Sequence, residues 1–222
     1  MQRNDTQDLI ERLGGDAPPV RRQRPPLVRA VLWLAAAFII LAGLVAIEGV
    51  RHDLDQSLGR ADALLGWAAS ILTGIVAAVA AFHLAVPGHP GRWALAPLPL
   101  AAVWLATLGA GCYLDWLQSG PDGLVLGTSF TCLGFVVVAS ALLGAPLMLL
   151  LRHAILVRPV LTAATAGLAV AALASAALEL FHHLDTRLMV LIWHVGSVLL
   201  VIGLSTWAAR AVARDGRARL GG

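Results

Sequence analysis

The chain has 222 residues, of which 59% are hydrophobic and only 13% charged, against about 25% charged in an ordinary soluble domain. Apolar runs of about 18 residues or more recur along it, long enough to cross a bilayer, while no segments of alternating polarity point to a β-barrel. All 16 basic residues are arginine; they sit at the edges of the apolar runs rather than in one patch, which argues against nucleic acid. The two cysteines lack a CxxC spacing, which argues against a structural zinc tetrad.

Residues 1–26 are expected outside the membrane. Thr6 can cap a short helix with Asp8 in its first turn. Leu9, Ile10 and Leu13 then share one face, and Gly14-Gly15 ends it. Ala17-Pro18-Pro19 and Pro25-Pro26 bracket an extended basic strap, Val20-Arg21-Arg22-Gln23-Arg24. The apolar run that starts near Leu27 is too long for the core of a signal peptide, so it is expected to remain as an uncleaved span.

Six spans follow, at about 27–48, 63–86, 93–116, 127–151, 159–181 and 188–209. The predicted fold class is all-α, a polytopic six-helix transmembrane bundle. Residues 210–222 form a basic tail. The connections are short enough to make successive helices antiparallel neighbours and leave no room for a second domain. With the N-terminus inside, 13 arginines lie inside and three outside (Arg51, Arg60 and Arg187). That bias predicts cytoplasmic termini.

Pro97 and Pro99 are expected to kink the third span, and Pro159 to open the fifth, where its missing N–H costs nothing. The alanine-rich fifth span and the Ser140/Gly144 pair on the fourth read as close-packing features. Trp33, Trp93 and Trp116 read as interfacial anchors. His83, His89 and His153 read as ordinary residues of the inner edge. The Phe82-His83 and Phe181-His182 pairs are too thin to establish an internal repeat.

The stretch 111–132 carries both cysteines, one on each arm of a hairpin around Gln118-Ser119-Gly120-Pro121-Asp122-Gly123. Cys112 and Cys132 are each about one turn inside the outer edge, at matching depth. Two readings stand level. The thiols form a sensing pair, by disulfide or by metal capture in an oxidising compartment, or they are small apolar residues in helices. Glu179, His182, His183 and His194 belong to the same outer leaflet, where thiolate, imidazole and carboxylate together suit Zn²⁺, Cu⁺ or Cd²⁺. The alternative for His182 and His183 is solvation at the interface. For His194 and Glu179 it is a bond to each other or to a backbone carbonyl. Neither a nucleophile triad nor HExxH, a phosphate loop or paired carboxylates within one span is present, so no enzyme is expected. The middles of the spans are almost purely apolar, which argues against transport of a polar substrate.

Several segments together resemble one family. They are the tail ending in Pro19-Val20-Arg21-Arg22-Gln23-Arg24-Pro25-Pro26, Gly91-Arg92-Trp93-Ala94-Leu95, and Gly111-Cys112 with Asp115-Trp116. Cys132, Phe181-His182 and Leu188-Met189-Val190-Leu191-Ile192-Trp193-His194 complete the set. From about Thr6 to Ala209 the chain resembles the NrsF-type family of bacterial inner-membrane anti-sigma factors. The resemblance implies a negative regulator of an extracytoplasmic-function sigma factor. Its cytoplasmic N-terminal segment would hold the sigma factor, through Leu9, Ile10 and Leu13 with Arg21, Arg22 and Arg24 as further contacts. Cys112 and Cys132 would sense chemical stress such as heavy metals. Partners would be the sigma factor and the bilayer, with no direct nucleic acid. No resident cofactor is expected beyond a transient heavy metal or a disulfide. The tail after Arg210 has no counterpart in that resemblance. The rival readings are a small metal-handling membrane carrier, with Cys112, Cys132, Glu179 and His194 as ligands, and a ligand-free membrane scaffold.

Overall fold

The computed structural model describes residues 24–55, 59–119, 130–151 and 158–181. It also describes single positions at 7, 11, 196, 199, 200, 203, 204, 207 and 210. Within the helices, the side chains of 111, 112, 114–116, 118, 119, 130–134, 136 and 159 fall outside that description. The described residues form five helices and no strands: α1 (Pro26–Glu48), α2 (Ala61–Leu84), α3 (Leu98–Ser119), α4 (Phe130–Leu151) and α5 (Pro159–Leu178). A 3-10 turn, Gly91–Leu95, precedes α3.

Six spans were expected, and the described residues show five helices. The sixth, 188–209, lies outside the described residues except for Gly196, Leu199, Leu200, Gly203, Leu204 and Trp207, which are helical and exposed. Four stretches are long and apolar enough to cross a membrane: Pro26–Glu48, Ala61–Leu84, Gly91–Ala110 and Val160–Leu178. In α4, Phe130–Leu151, the described side chains form the apolar stretch Val137–Leu151.

Local chemistry sets the ends. Pro26 stands at the first turn of α1, where no N–H is required of it. Gly49 stops α1 with φ 85°, a conformation that costs a residue with a Cβ. Pro159 opens α5 as expected. Pro97 and Pro99 do something other than kink a span. The helix breaks at them, so that the expected span becomes the 3-10 turn followed by α3, with Pro99 in its first turn. A proline inside a helix removes a hydrogen bond and clashes one turn back, and a first turn escapes both costs. Pro146, by contrast, is accommodated within α4.

Packing is organised around α5. All eight residues from Ala171 to Leu178 are buried, as expected of a helix that is apolar all round. Its most extensive neighbour is α2, whose buried residues are small as far as Ala81, namely Gly66, Ala69, Ser70, Thr73, Gly74, Ala77, Ala78, Ala80 and Ala81, with the larger Phe82 and Leu84 at its end. Without side-chain bulk the two backbones come close. A Cβ on Gly74 would sit 2.6 Å from Leu173 Cγ and 3.3 Å from the Ala169 carbonyl. The hydroxyls in this seam need no partner across it, because Thr73 donates to the Ala69 carbonyl (2.7 Å) and Ser70 to that of Trp67 (2.7 Å).

The remaining helices attach to this pair. α1 brings Ala30, Trp33, Leu34, Ala37, Leu41 and Val45, spaced at three and four residues, to the core. α4 contributes Phe135, Ala139, Leu143, Leu147 and Leu151 at the same spacing. α3 packs on α2, with Trp104 seated between Ala69 and Ala172. Trp33 is thus a core residue rather than an anchor: it is 3% exposed, and its Nε1 donates to the Leu143 carbonyl across α1 and α4 (3.3 Å). Ser140 carries a buried hydroxyl, and among the described residues a Cβ on Gly144 would meet nothing within 4 Å. Outward faces carry bare aliphatics such as Ile39, 73% exposed, and Ile47, 81% exposed, which suits lipid as the surrounding solvent.

Candidate functional site

The bundle has two ends with different chemistry. The near end gathers the start of α1, the end of α2, the 3-10 turn, the end of α4 and the start of α5. The far end gathers the opposite termini, including those of α3 and α4 that carry the cysteines.

At the near end, Arg29 leaves the first turn of α1 and donates from Nη2 to the Leu150 carbonyl in the last turn of α4. A cation suits the carbonyl-rich end of a helix. Its guanidinium also lies 5.2 Å from the centre of the Phe82 ring, so one side chain ties together α1, α2 and α4. The next residue, His83, faces His89 with 3.2 Å between their Nδ1 atoms, and stacks on Trp93 with centroids 4.2 Å apart and planes 8° apart. His83 is therefore engaged with both His89 and Trp93. Arg158, at the start of α5, lies against Gly91, where a Cβ would come 3.0 Å from Nη1.

At the far end, the chain leaving α1 turns at Gly49 and is fastened to the end of α5 by a hydrogen bond from the Arg51 amide to the Leu180 carbonyl (3.1 Å). The Arg51 side chain grips Asp53 with two bonds, Nε to Oδ1 at 2.8 Å and Nη2 to Oδ2 at 2.6 Å. Glu179 follows directly on the last residue of α5 and is half-buried. Burial pushes its carboxyl up to about 7, and the nearby Arg51 charge works against that rise. Phe135 and Phe181 close this end edge to face, with ring centres 4.6 Å apart.

Of the residues singled out by sequence, Glu179 is thus placed, beside Arg51. Arg51 was missed as its charge partner, although its place among only three arginines on the expected outer side was a usable signal. Cys112 belongs to α3 and Cys132 to α4, both at the far end, while their side chains, like all of His182, His183 and His194, lie outside the described residues. Among the described residues α3 packs on α2, whereas α4 packs on α5 and α1. Arg24 is exposed just ahead of α1. Leu9, Ile10, Leu13, Arg21 and Arg22 are outside the description, with Gln7 and Glu11 helical beside them.

Residues 13–214 match the family model described as NrsF, negative regulator of sigma F. The chain belongs to the NrsF family. The match covers most of its length, and membership implies negative regulation of a sigma factor. It begins at Leu13 rather than near Thr6, which leaves Leu9 and Ile10 ahead of it, and reaches past Ala209 to include Arg210 and Arg214. No curated protein matches the chain. No solved structure does either.

Proposed function

We propose that this NrsF-family protein is a membrane-embedded anti-sigma factor. It holds an extracytoplasmic-function sigma factor through its N-terminal segment and releases it when the far-end cysteine pair changes state. The observation that carries the reading is the family match across 13–214; the four stretches long and apolar enough to cross a bilayer support a membrane setting. The arginine bias supports an N-terminus on the cytoplasmic side of the bacterial inner membrane, where a sigma factor is found.

Among the described residues the helices that carry Cys112 and Cys132 pack on different partners, α3 on α2 and α4 on α5 and α1. A disulfide or shared metal between Cys112 and Cys132 would join α3 to α4, two helices with different packing partners, so a change there would bear on both sides of the α2–α5 pair. The N-terminal helix alone is too small an interface. Burying Leu9, Ile10 and Leu13 yields about 5–9 kcal/mol gross. Ordering the segment costs about 2–5 kcal/mol, and the remainder falls below the ~8 kcal/mol of a micromolar complex. Arg21, Arg22 and Arg24 add contacts to it, and confinement at the membrane raises the effective concentration.

The test is a sigma-dependent reporter. Deletion of residues 1–15 is expected to leave the sigma factor active without a signal, and continued repression would refute the N-terminal assignment. A Cys112→Ser, Cys132→Ser chain is expected to repress normally yet fail to respond to cadmium or oxidant; an unchanged response would refute sensing by the thiols.

A further inference from the structure

The near-end histidines carry one more reading. α2 runs out through His83 and Leu84, and the chain reverses at Pro87-Gly88, where Gly88 takes φ 88°. That reversal returns His89 to His83 across six positions. The ring centres are 5.2 Å apart, well beyond the 3.2 Å between the two Nδ1 atoms. The rings therefore meet nitrogen to nitrogen at their edges, and Trp93 covers one face of His83.

A contact between two imidazole nitrogens needs one proton in it. A neutral imidazole has one N–H and one lone pair, so one Nδ1 donates and the other accepts. A first added proton binds at the free Nε2 of the donor ring and leaves the contact standing. A second makes N–H donors of both Nδ1 atoms, and the contact becomes donor against donor and charge against charge. The pair thus tolerates no charge or one, and fails at two. The described surroundings offer the second charge no relief. Among the described residues the charged side chains on the elements at this end are all cations: Arg24 just ahead of α1; Arg29 from α1, over Phe82; Arg92 on the turn; and Arg158 from the start of α5, against Gly91. No carboxylate faces the pair among the described residues.

We propose that His83 and His89 form a proton-operated latch, which holds the 86–95 turn on the end of α2 and lets it go when that side of the membrane acidifies. The turn is also held by the Val86 amide on the His83 carbonyl and the His89 amide on the Val86 carbonyl, both at 3.2 Å, by Trp93 stacked on His83 and by Arg158 against Gly91. The latch adjoins Phe82, on which Arg29 at the root of the N-terminal segment rests. Any effect on sigma-factor release rests on the function proposed above, whereas the latch itself does not.

The full chain, in nanodiscs of phosphatidylcholine and labelled with ¹⁵N-histidine, tests it. Expected at pH 8 is a scalar coupling between the two Nδ1 atoms, lost by pH 5. Over the same interval the Val86 and His89 amides should exchange about tenfold faster after correction for the intrinsic rate, the effect of losing one hydrogen bond. His89→Gln should show the faster exchange at both pH values. A coupling that survives at pH 5, or protection of those amides that is the same at both pH values in the unaltered chain, would overturn the latch. A sigma-dependent reporter is a separate arm: a latch that opens in the nanodisc with the reporter unmoved by internal acidification supports the latch and refutes its link to the N-terminal segment.

Discussion

The α2–α5 seam permits a test in which the sign of a mutation should reverse. Gly74 is buried, and a Cβ there would lie 2.6 Å from Leu173 Cγ and 2.8 Å from its Cδ2. Cγ is the branch point of Leu173, not a free end, and the Ala169 carbonyl at 3.3 Å blocks retreat of the backbone. Overpacking of this kind costs about 1–3 kcal/mol. Against it stands the better helix propensity of alanine, about 1 kcal/mol. Gly74→Ala should therefore destabilise by about 1 kcal/mol, and by up to about 2 if Leu173 finds no alternative rotamer. In a Leu173→Ala background the clash with Cγ is gone and only the 3.3 Å approach to the Ala169 carbonyl offsets the propensity term, so the same substitution should stabilise by up to about 1 kcal/mol. Leu173→Ala alone should cost about 2–5 kcal/mol through the cavity it leaves. Reversible unfolding in mixed micelles, read as a double-mutant cycle, gives the coupling. Gly144→Ala, which meets nothing within 4 Å among the described residues, is the control that reports propensity without a clash. Destabilisation by Gly74→Ala in both backgrounds, or in neither, would refute the close approach of α2 and α5.

Three further outcomes follow from other contacts. Arg29→Met should cost about 1–2 kcal/mol, because it removes both the cation at the end of α4 and the contact over Phe82; thermal unfolding in detergent measures this, and a wild-type melting temperature would contradict it. Glu179 has its proton affinity raised by burial, so the folded state binds a proton more tightly than the unfolded chain. Its contribution to stability is present below the ordinary value of 4.5 and lost as pH rises to about 7. Glu179→Gln should remove that part of the pH dependence and leave a flatter melting profile between those values, and a profile as steep as wild type would count against it. Trp67→Phe should cost about 0.5–1.5 kcal/mol, since Nε1 of Trp67 donates to the Ala176 carbonyl at 3.0 Å and nothing in phenylalanine replaces it; equal stability of the two proteins in the same unfolding assay would show that bond to be idle.

Much of the architecture was readable in residue order because it rests on local chemistry. Proline at the first turn of α1 and α5, and the length of each apolar run, act on neighbouring positions, and the ends of α1, α2, α4 and α5 lie within three residues of those expected. The family could be recognised for the same reason, being carried by short stretches of sequence. Pro97 and Pro99 show the limit of local reading. The prolines were visible, but whether they kink a span or start one is settled by how the 91–95 turn seats itself beside them.

What the sequence determined by itself was the kind of object this is: a helical chain of the NrsF family with runs apolar enough for a bilayer and no evident catalytic machinery. Which helix lies at the centre was decided only by the tertiary structure. A run of alanines looks alike whether it faces lipid or another backbone, and only the fit of Gly74 against Leu173 distinguishes the two. Pairings were hidden for the same reason. Trp33 with Leu143, Arg29 with Leu150 and Arg51 with Leu180 join residues more than a hundred positions apart, and no periodicity along one helix carries information about the other. His83 and His89 stand only six residues apart, yet they meet because Gly88 adopts a positive φ and turns the chain back. Proximity in sequence allowed that contact, and the fold made it.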